Sequence, residues 1–228
     1  MSKELIPVVD DEPQIQRFLR PALEAAGYEV VEAPNGAAAL RAAATSAPAL
    51  VILDLGLPDM DGKEVIARLR GWSKVPIIIL SARDQETEKI AALDTGADDY
   101  VEKPFGIGEL TARMRTALRH RIQDAGEVTG IGVDGLEIDA LRRIVRRDGK
   151  ALKLTPKEYD LLLLLARHAG RVVTHRTLLT SVWGPAHGED LQYLRVFIGQ
   201  LRGKIEHDPA DPKIIRTEPG VGYRFMPD

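Results

Sequence analysis

The apolar positions of the first 121 residues fall in short runs separated by longer amphipathic stretches. Leu50-Val51-Ile52-Leu53 runs straight into Asp54, and Gly56, Pro58, Asp59 and Gly62 then break regular structure. An unbroken apolar run of this length, closed by turn residues, predicts a strand buried on both faces. The pattern recurs. Lys3 to Val9 reads as a first strand ending at Asp10, Asp11 and Glu12, although Pro7 favours an edge or first position because proline gives no ladder N–H. Tyr28 to Ala33, Val75 to Leu80 and Asp99 to Glu102 are further strands. Between them, helices are predicted over Pro13 to Gly27, Ala37 to Ser46, Lys63 to Gly71 and Glu86 to Leu93, and Glu109 to His120 closes the series. Five strands alternating with five helices predict an α/β domain over residues 1–121, a doubly wound parallel sheet covered on both faces.

The pattern changes after that. Residues 122–130 hold few apolar side chains and read as a linker. Over 131–228, alternating stretches at Gly135 to Asp139 and Arg143 to Arg147 run into Asp148-Gly149, a hairpin signal, with Ala151 to Leu154 as another short strand. Thr155-Pro156-Lys157-Glu158 is a capping box opening a helix that ends near Gly170. Thr174 begins a second helix, stopped by Gly184-Pro185. Asp190 to Glu206 is a third, with Leu191, Leu194, Ile198, Leu201 and Ile205 as its buried stripe. Ile214 to Thr217 and Tyr223 to Met226 flank a final hairpin. The expectation is an α+β domain.

Composition narrows the chemistry. With 44% hydrophobic and 29% charged residues the chain is globular. It has no Cys, which removes thiolate nucleophiles and Cys-ligated zinc or iron–sulfur sites. No apolar run is long enough to span a bilayer and Met1 to Glu4 do not resemble a signal peptide, so a soluble cytoplasmic protein is expected. Residues 1–130 carry 15 Lys and Arg against 21 Asp and Glu, a net of −6, whereas 131–228 carry 16 against 13, a net of +3. An acidic half joined to a mildly basic half suggests two separate jobs.

Asp10, Asp11, Asp54, Ser81 and Lys103 each fall at the carboxyl end of a predicted strand. In a sheet ordered 2-1-3-4-5 these ends share one edge, and strands 1 and 3 flank the switch point where ligands bind. Three carboxylates side by side require a cation or raised pKa values. No His precedes His120, so an all-oxygen site favours Mg²⁺ or Mn²⁺ over Zn²⁺. Metal, the Lys103 ammonium and the Ser81 hydroxyl together suit the equatorial oxygens of a transferred phosphoryl group, with Asp54 as the nucleophile. A single Asp after a strand is usually a turn residue or cap; five such residues at successive strand ends are harder to dismiss.

Asp10-Asp11-Glu12, LDLGLPDMDG at 53–62, LSA at 80–82, GADDY at 96–100 and KPF at 103–105 closely resemble the receiver domain of two-component response regulators. The resemblance implies phosphate transfer to Asp54 from a sensor histidine kinase. It implies Mg²⁺ held by Asp11 and Asp54, with Asp10 helping through water and the Gly56 carbonyl completing the set. Ser81 and Tyr100 would be the switch residues, Lys103 the phosphate partner, and Lys103–Pro104 a cis bond. In the OmpR/PhoB-type branch, Lys89, Asp98, Asp99, Glu109, Arg113 and Arg119 would lie on a two-fold dimer face, pairing Lys89 with Glu109 and Asp99 with Arg113 around Ile90, Leu93 and Ala112; read by themselves these are an ordinary solvated charged face.

LTPKEYDLL at 154–162, VWG at 182–184, LRGKIE at 201–206 and GVGYRF at 220–225 resemble the winged helix-turn-helix effector of the same branch. The resemblance implies a homodimer on promoter DNA, with Tyr193, Arg195, Val196, Gln200 and Arg202 of the third helix near bases or phosphates and Lys204 beside them. Arg216, Thr217 and Arg224 would flank the wing and touch phosphates, and Pro185 to Glu189 would contact RNA polymerase. A narrower likeness, carried by residues 53–59, 71–100, 103–110, 182–190 and 193–209, is to the Kdp-type regulators of a high-affinity potassium-uptake operon. Two rivals stand beside this reading. A Mg²⁺-dependent aspartyl phosphatase of the haloacid-dehalogenase kind wants a second Asp two residues after the nucleophile, where this chain has Gly56. A receiver acting only through protein partners would lack salt-sensitive DNA binding.

Overall fold

Apolar runs ending in polar turns give parallel strands whose two faces are both covered. In the computed structural model, which describes residues 3–82, 86–123, 130–140 and 142–227, the first compact unit covers Met1–Ile122 and the second Gln123–Asp228. Strands β1 (Leu5–Val9), β2 (Glu29–Ala33), β3 (Val51–Asp54), β4 (Ile77–Ala82) and β5 (Asp99–Lys103) form one parallel sheet in the order β2-β1-β3-β4-β5. The predicted order therefore holds. Helices α1 (Pro13–Ala25), α2 (Gly36–Ser46), α3 (Gly62–Arg70) and α4 (Glu86–Thr95) make the four crossovers, and α5 (Ile107–Gln123) follows the last strand.

The alternation of side chains along each strand divides the core. Ile6, Val8, Ile52, Ile78, Leu80 and Val101 pack with Leu19 and Leu23 of α1 and Leu110 and Met114 of α5. Val9, Leu53 and Ile79 point the other way and are buried, as are Val65, Ile66 and Leu69 of α3. Pro7 departs from expectation. It lies in an interior strand, opposite Val31 of β2, while β1 pairs with β3 only at Val8 and Val9. The missing N–H therefore falls outside the paired part of the β1–β3 ladder.

The second unit opens with an antiparallel sheet of β6 (Gly130–Val133), β7 (Leu136–Asp139), β8 (Ile144–Arg147) and β9 (Lys150–Ala151). β9 is shorter than the predicted Ala151 to Leu154, and β6 and β10 (Val172–Thr174) are strands not anticipated. α6 (Pro156–Arg167), α7 (His175–Trp183) and α8 (Leu191–Ile205) follow, then β11 (Ile215–Glu218) and β12 (Gly222–Phe225), which join β10 in a sheet ordered β10-β12-β11. Both arms of the capping box at Thr155 and Glu158 are formed. Leu161, Leu165, Leu178, Leu194, Ile198, Leu201, Ile205, Ile215, Tyr223 and Phe225 share one core. Leu191, assigned to that stripe from spacing, is instead 39% exposed at the first turn of α8. Residues 124–129 of the expected linker lie outside the described residues.

Candidate functional site

The carboxyl ends of β1, β3, β4 and β5 meet at one edge of the first sheet. Oxygens of Asp10, Asp11 and Asp54 all lie within 4.8 Å of one another. The Lys103 ammonium, from the end of β5, sits 3.2 Å from Asp10, 3.3 Å from Asp54 Oδ1 and 3.3 Å from Glu12 Oε1. Asp10 is fully buried, Asp54 is partly buried and Asp11 is exposed. Asp10 also accepts the Glu12 N–H at 2.8 Å, while its carbonyl accepts from Gln16 Nε2 at 2.6 Å.

The electrostatics follow from this crowding. Burial is the main cause that raises the Asp10 carboxyl above its usual range; the Glu12 N–H and Lys103 oppose it, and the neighbouring Asp54 charge adds to it. Burial works to lower the Lys103 ammonium, but the charges of Asp54 and Asp10 outweigh it and raise that group. The cation demanded by three adjoining carboxylates is thus partly supplied by the chain itself. The donor set, carboxylates only and no imidazole or thiolate, fits a hard divalent ion such as Mg²⁺. Gly56 is exposed beside it, and a Cβ there would come 3.5 Å from Asp54 Oδ2.

The loop after β3 is held by close packing. A Cβ on Gly62 would fall 2.7 Å from Leu55 Cα and 2.8 Å from the Asp54 carbonyl oxygen, so only glycine lets α3 start against the end of β3. Asp59, which spacing did not single out, accepts the N–H groups of Gly36 and Ala37 at 2.8 and 2.9 Å, capping α2 from the β3–α3 loop. Those bonds, the Ala37 N–H foremost, hold its carboxyl below the usual range. Ser81 is buried and its hydroxyl donates to the Ala82 carbonyl at 3.1 Å. Tyr100 is buried, with Lys89 Nζ 4.4 Å and Arg113 Cζ 5.7 Å from its ring centroid. Lys103–Pro104 is cis.

The charged face is largely paired within the chain. Arg113 binds Asp99 at 3.1 Å and Glu109 at 3.1 Å. Lys89 is buried and pairs with Glu102, not with Glu109. Asp98 is also buried: its carboxylate accepts from Arg70 at 2.9 Å and from the Ile77 N–H at 2.7 Å. Arg119 and Ala112 are exposed, Ile90 is half-buried and Leu93 is buried in the monomer. Within the single chain, Asp99 and Arg113 already pair with each other. Arg70, absent from the sequence reading, further donates to the carbonyls of Gly96 and Val75, both at 2.8 Å.

In the second unit, the outward face of α8 carries Gln192, Tyr193, Arg195, Val196, Gly199 and Gln200, all exposed. Tyr193 and Val196 stand at 46% and 49% exposure, and Tyr193 is braced edge-on against Trp183 and Phe197. Arg216 and Thr217 of β11 are exposed as well. Three other cations assigned to DNA are engaged internally. Arg202 donates to the Ile215 carbonyl and to Thr217 Oγ1, and burial lowers its pKa. Lys204 binds both carboxylate oxygens of Glu158 at 2.7 Å. Arg224 is buried, donating to Glu218 at 2.7 Å and to the Gly170 carbonyl at 2.6 Å. Their side chains close the domain; Arg195 and Arg216 remain open to a partner.

Comparison with known proteins agrees with this division. Residues 6–115 match the response regulator receiver domain, and residues 149–225 match the C-terminal domain of transcriptional regulatory proteins. The chain is 50% identical over 222 residues to the transcriptional regulatory protein KdpE of Mycobacterium tuberculosis, covering 97% of this chain and 98% of that one. It is 51% identical over 219 residues to the KDP operon transcriptional regulatory protein KdpE of Escherichia coli, covering 96% and 97%. The crystal structure of DrrB, an OmpR/PhoB homolog from Thermotoga maritima, is 31% identical with a TM-score of 0.50, covering 99% of this chain and 100% of that chain. On a parallel sheet that gathers carboxylates and a lysine at one edge, followed by a winged-helix output domain, the chain belongs to the OmpR/PhoB-type DNA-binding response regulators of two-component systems.

Proposed function

We propose that Asp54 is the phosphoacceptor for a sensor histidine kinase and that its phosphorylation controls promoter binding by the second domain. The observation that carries this is the Lys103 ammonium within 3.3 Å of both Asp10 and Asp54, beside the carboxylate cluster. An Asp54 oxygen attacks phosphorus as the bond to the donor breaks, and the bonding pair leaves with the donor. Lys103 then follows the new charge from carboxylate to phosphoryl oxygen, and Ser81 turns its hydroxyl from Ala82 towards it. Asp10, Asp11, Asp54 and the Gly56 carbonyl would hold Mg²⁺ or Mn²⁺, which when bound neutralises charge on the phosphoryl oxygens.

The receiver then spans 1–121 and the DNA-binding domain 131–228, joined by 122–130. Active chains pair through the face that carries Lys89, Asp98, Asp99, Glu109, Arg113 and Arg119. Promoter duplex meets Tyr193, Arg195, Val196, Gln200, Arg216 and Thr217, and RNA polymerase meets the Pro185 to Glu189 segment. The names of the KdpE relatives support a target operon for high-affinity potassium transport. No described helix is long and apolar enough to cross a membrane, which fits a cytoplasmic regulator.

Acetyl phosphate with Mg²⁺ should phosphorylate the full chain and not Asp54→Asn, read as a mobility shift on a phosphate-retarding gel. Phosphorylation should strengthen a gel shift on duplex from upstream of potassium-transport genes. Phosphate retained by Asp54→Asn would overturn the assignment. Turnover of a chromogenic phosphate ester would favour the phosphatase.

A further inference from the structure

Arg202 in the last turn of α8 and Glu206, the C-cap residue four positions on, hold both backbone groups of one wing residue. Arg202 Nε and Nη2 donate to the Ile215 carbonyl at 3.0 and 2.6 Å, and Glu206 Oε1 accepts the Ile215 N–H at 2.8 Å. Residues four apart lie on one face of a helix, so the two grips act together. Glu206 also takes the N–H groups of Lys213 and Ile214, at 2.9 and 3.0 Å. Arg202 reaches Thr217 Oγ1 at 2.9 Å, and its guanidinium lies 5.6 Å from the ring centroid of Tyr223. Tyr223 is in turn the cross-strand partner of Thr217. The helix therefore fixes the register of β11 at Ile215 and again at Thr217. Arg216, between those two anchors, is exposed.

We propose that Arg202 is a positioning residue for DNA readout: it sets Arg216 of the wing in register with Arg195 and Gln200 of α8, and touches no phosphate itself. This rests on the reading of α8 and the wing as the DNA-facing surface. Nε and Nη2 of Arg202 are spent on the Ile215 carbonyl and Thr217, so only Nη1 could turn to a phosphate while the wing stays held. A one-residue slip of β11 would turn Arg216 to the opposite face, which is what a double hold on Ile215 prevents.

Salt dependence separates placement from contact. Each phosphate contact adds about one to the slope of log affinity against log salt. Full-length wild type would first be used to select a duplex from a randomised library. Binding to that duplex and to a scrambled one would then be followed by anisotropy across a salt series. Arg202→Gln should weaken the selected duplex about tenfold and lower the salt slope by no more than the contact that Arg216 makes, about one per bound subunit. Arg216→Gln should lower the slope by about one per bound subunit. In the double variant, the loss from Arg216→Gln on the selected duplex should shrink, because Arg216 is no longer placed. A slope lowered by about two per bound subunit in the double variant, or fully additive losses, would overturn the proposal. Should Arg202→Gln fail to fold, Arg202→Lys carries the same cycle. It keeps the charge but offers one ammonium to two acceptors, so a selectivity loss coupled to Arg216 supports placement, and additivity overturns it. A wild type that enriches no duplex removes the DNA reading itself and this proposal with it.

Discussion

The Lys103 ammonium lies 3.3 Å from the Asp54 carboxylate. It occupies the neighbourhood in which a divalent ion would sit and carries charge of the same sign. Lys103→Gln is therefore expected to move two quantities in opposite directions. Mg²⁺ should bind several-fold more tightly, because one competing positive charge is gone. Phosphorylation by acetyl phosphate should slow by on the order of a hundredfold, because a donor aimed at the developing phosphoryl charge is lost. Titration calorimetry and the gel assay measure the two separately; parallel changes would count against this role for Lys103.

Protons should compete with the metal. The Asp10 carboxyl is raised in the folded chain, chiefly by burial. Between its unfolded value and its folded one, the native state binds more protons than the unfolded state. Without metal, this group therefore favours folding increasingly as pH falls through its folded pKa, and opposes it above. Mg²⁺ needs the ionised form, so its affinity should fall over the same window. Calorimetry over a pH series reads the affinity, and Asp10→Asn should flatten the profile.

Gly62→Ala tests the packing under the proposed phosphoacceptor. The added carbon meets backbone of Leu55 and Asp54, which cannot swing aside as a side chain would. Overpacking of this kind costs about 1–3 kcal/mol. The thermal midpoint should drop, and phosphorylation of the folded fraction should slow because the end of β3 is displaced. An unchanged rate in the folded fraction would show that Asp54 tolerates the shift.

Glu158→Ala should destabilise the second domain by about 2 kcal/mol in denaturant titration. Roughly 1 kcal/mol is the lost helix cap, and the remainder is the Lys204 pair, discounted because Lys204 is about one-third solvated. Burial works to raise the Glu158 carboxyl, but its bonds to Lys204 and Thr155 prevail and lower it. That contribution is present above the unfolded carboxylate pKa and fades as pH falls through the folded one. The variant should accordingly lose less stability on acidification than the wild type.

Val196 presents an exposed branched methyl pair on α8 with Gly199 one turn further on, where a side chain would meet nothing within 4 Å. Against a major groove, that surface suits a thymine methyl. Val196→Ser should lower affinity for the selected duplex and relax selectivity at one A·T position, leaving the salt slope unchanged. Replacing thymine by uracil at that position should reproduce the loss.

Much of the first domain was legible because strand ends are written locally. An apolar run, then polar residues, then Gly or Pro places Asp10, Asp54 and Lys103 without long-range information, and the apolar run over Val75 to Leu80 places Ser81. The capping box at Thr155 was legible for the same reason. What escaped depends on partners distant in sequence. Nothing near Arg202 announces Ile215, nothing near Lys204 announces Glu158, and Arg224 reads as an open cation until Gly170 is folded over it. β6 and β10 were missed because one begins with Gly-Ile-Gly and the other has three residues, each too brief for alternation to register.

Arg70 stands at the last turn of α3 and holds Asp98 together with the carbonyls of Val75 and Gly96. One guanidinium thereby fastens the start of β4 to the turn that leads into β5. Were Asp98 to pair with a second subunit as proposed, that knot would first have to be released, and a helix with no place on the pairing face would then set the threshold for assembly.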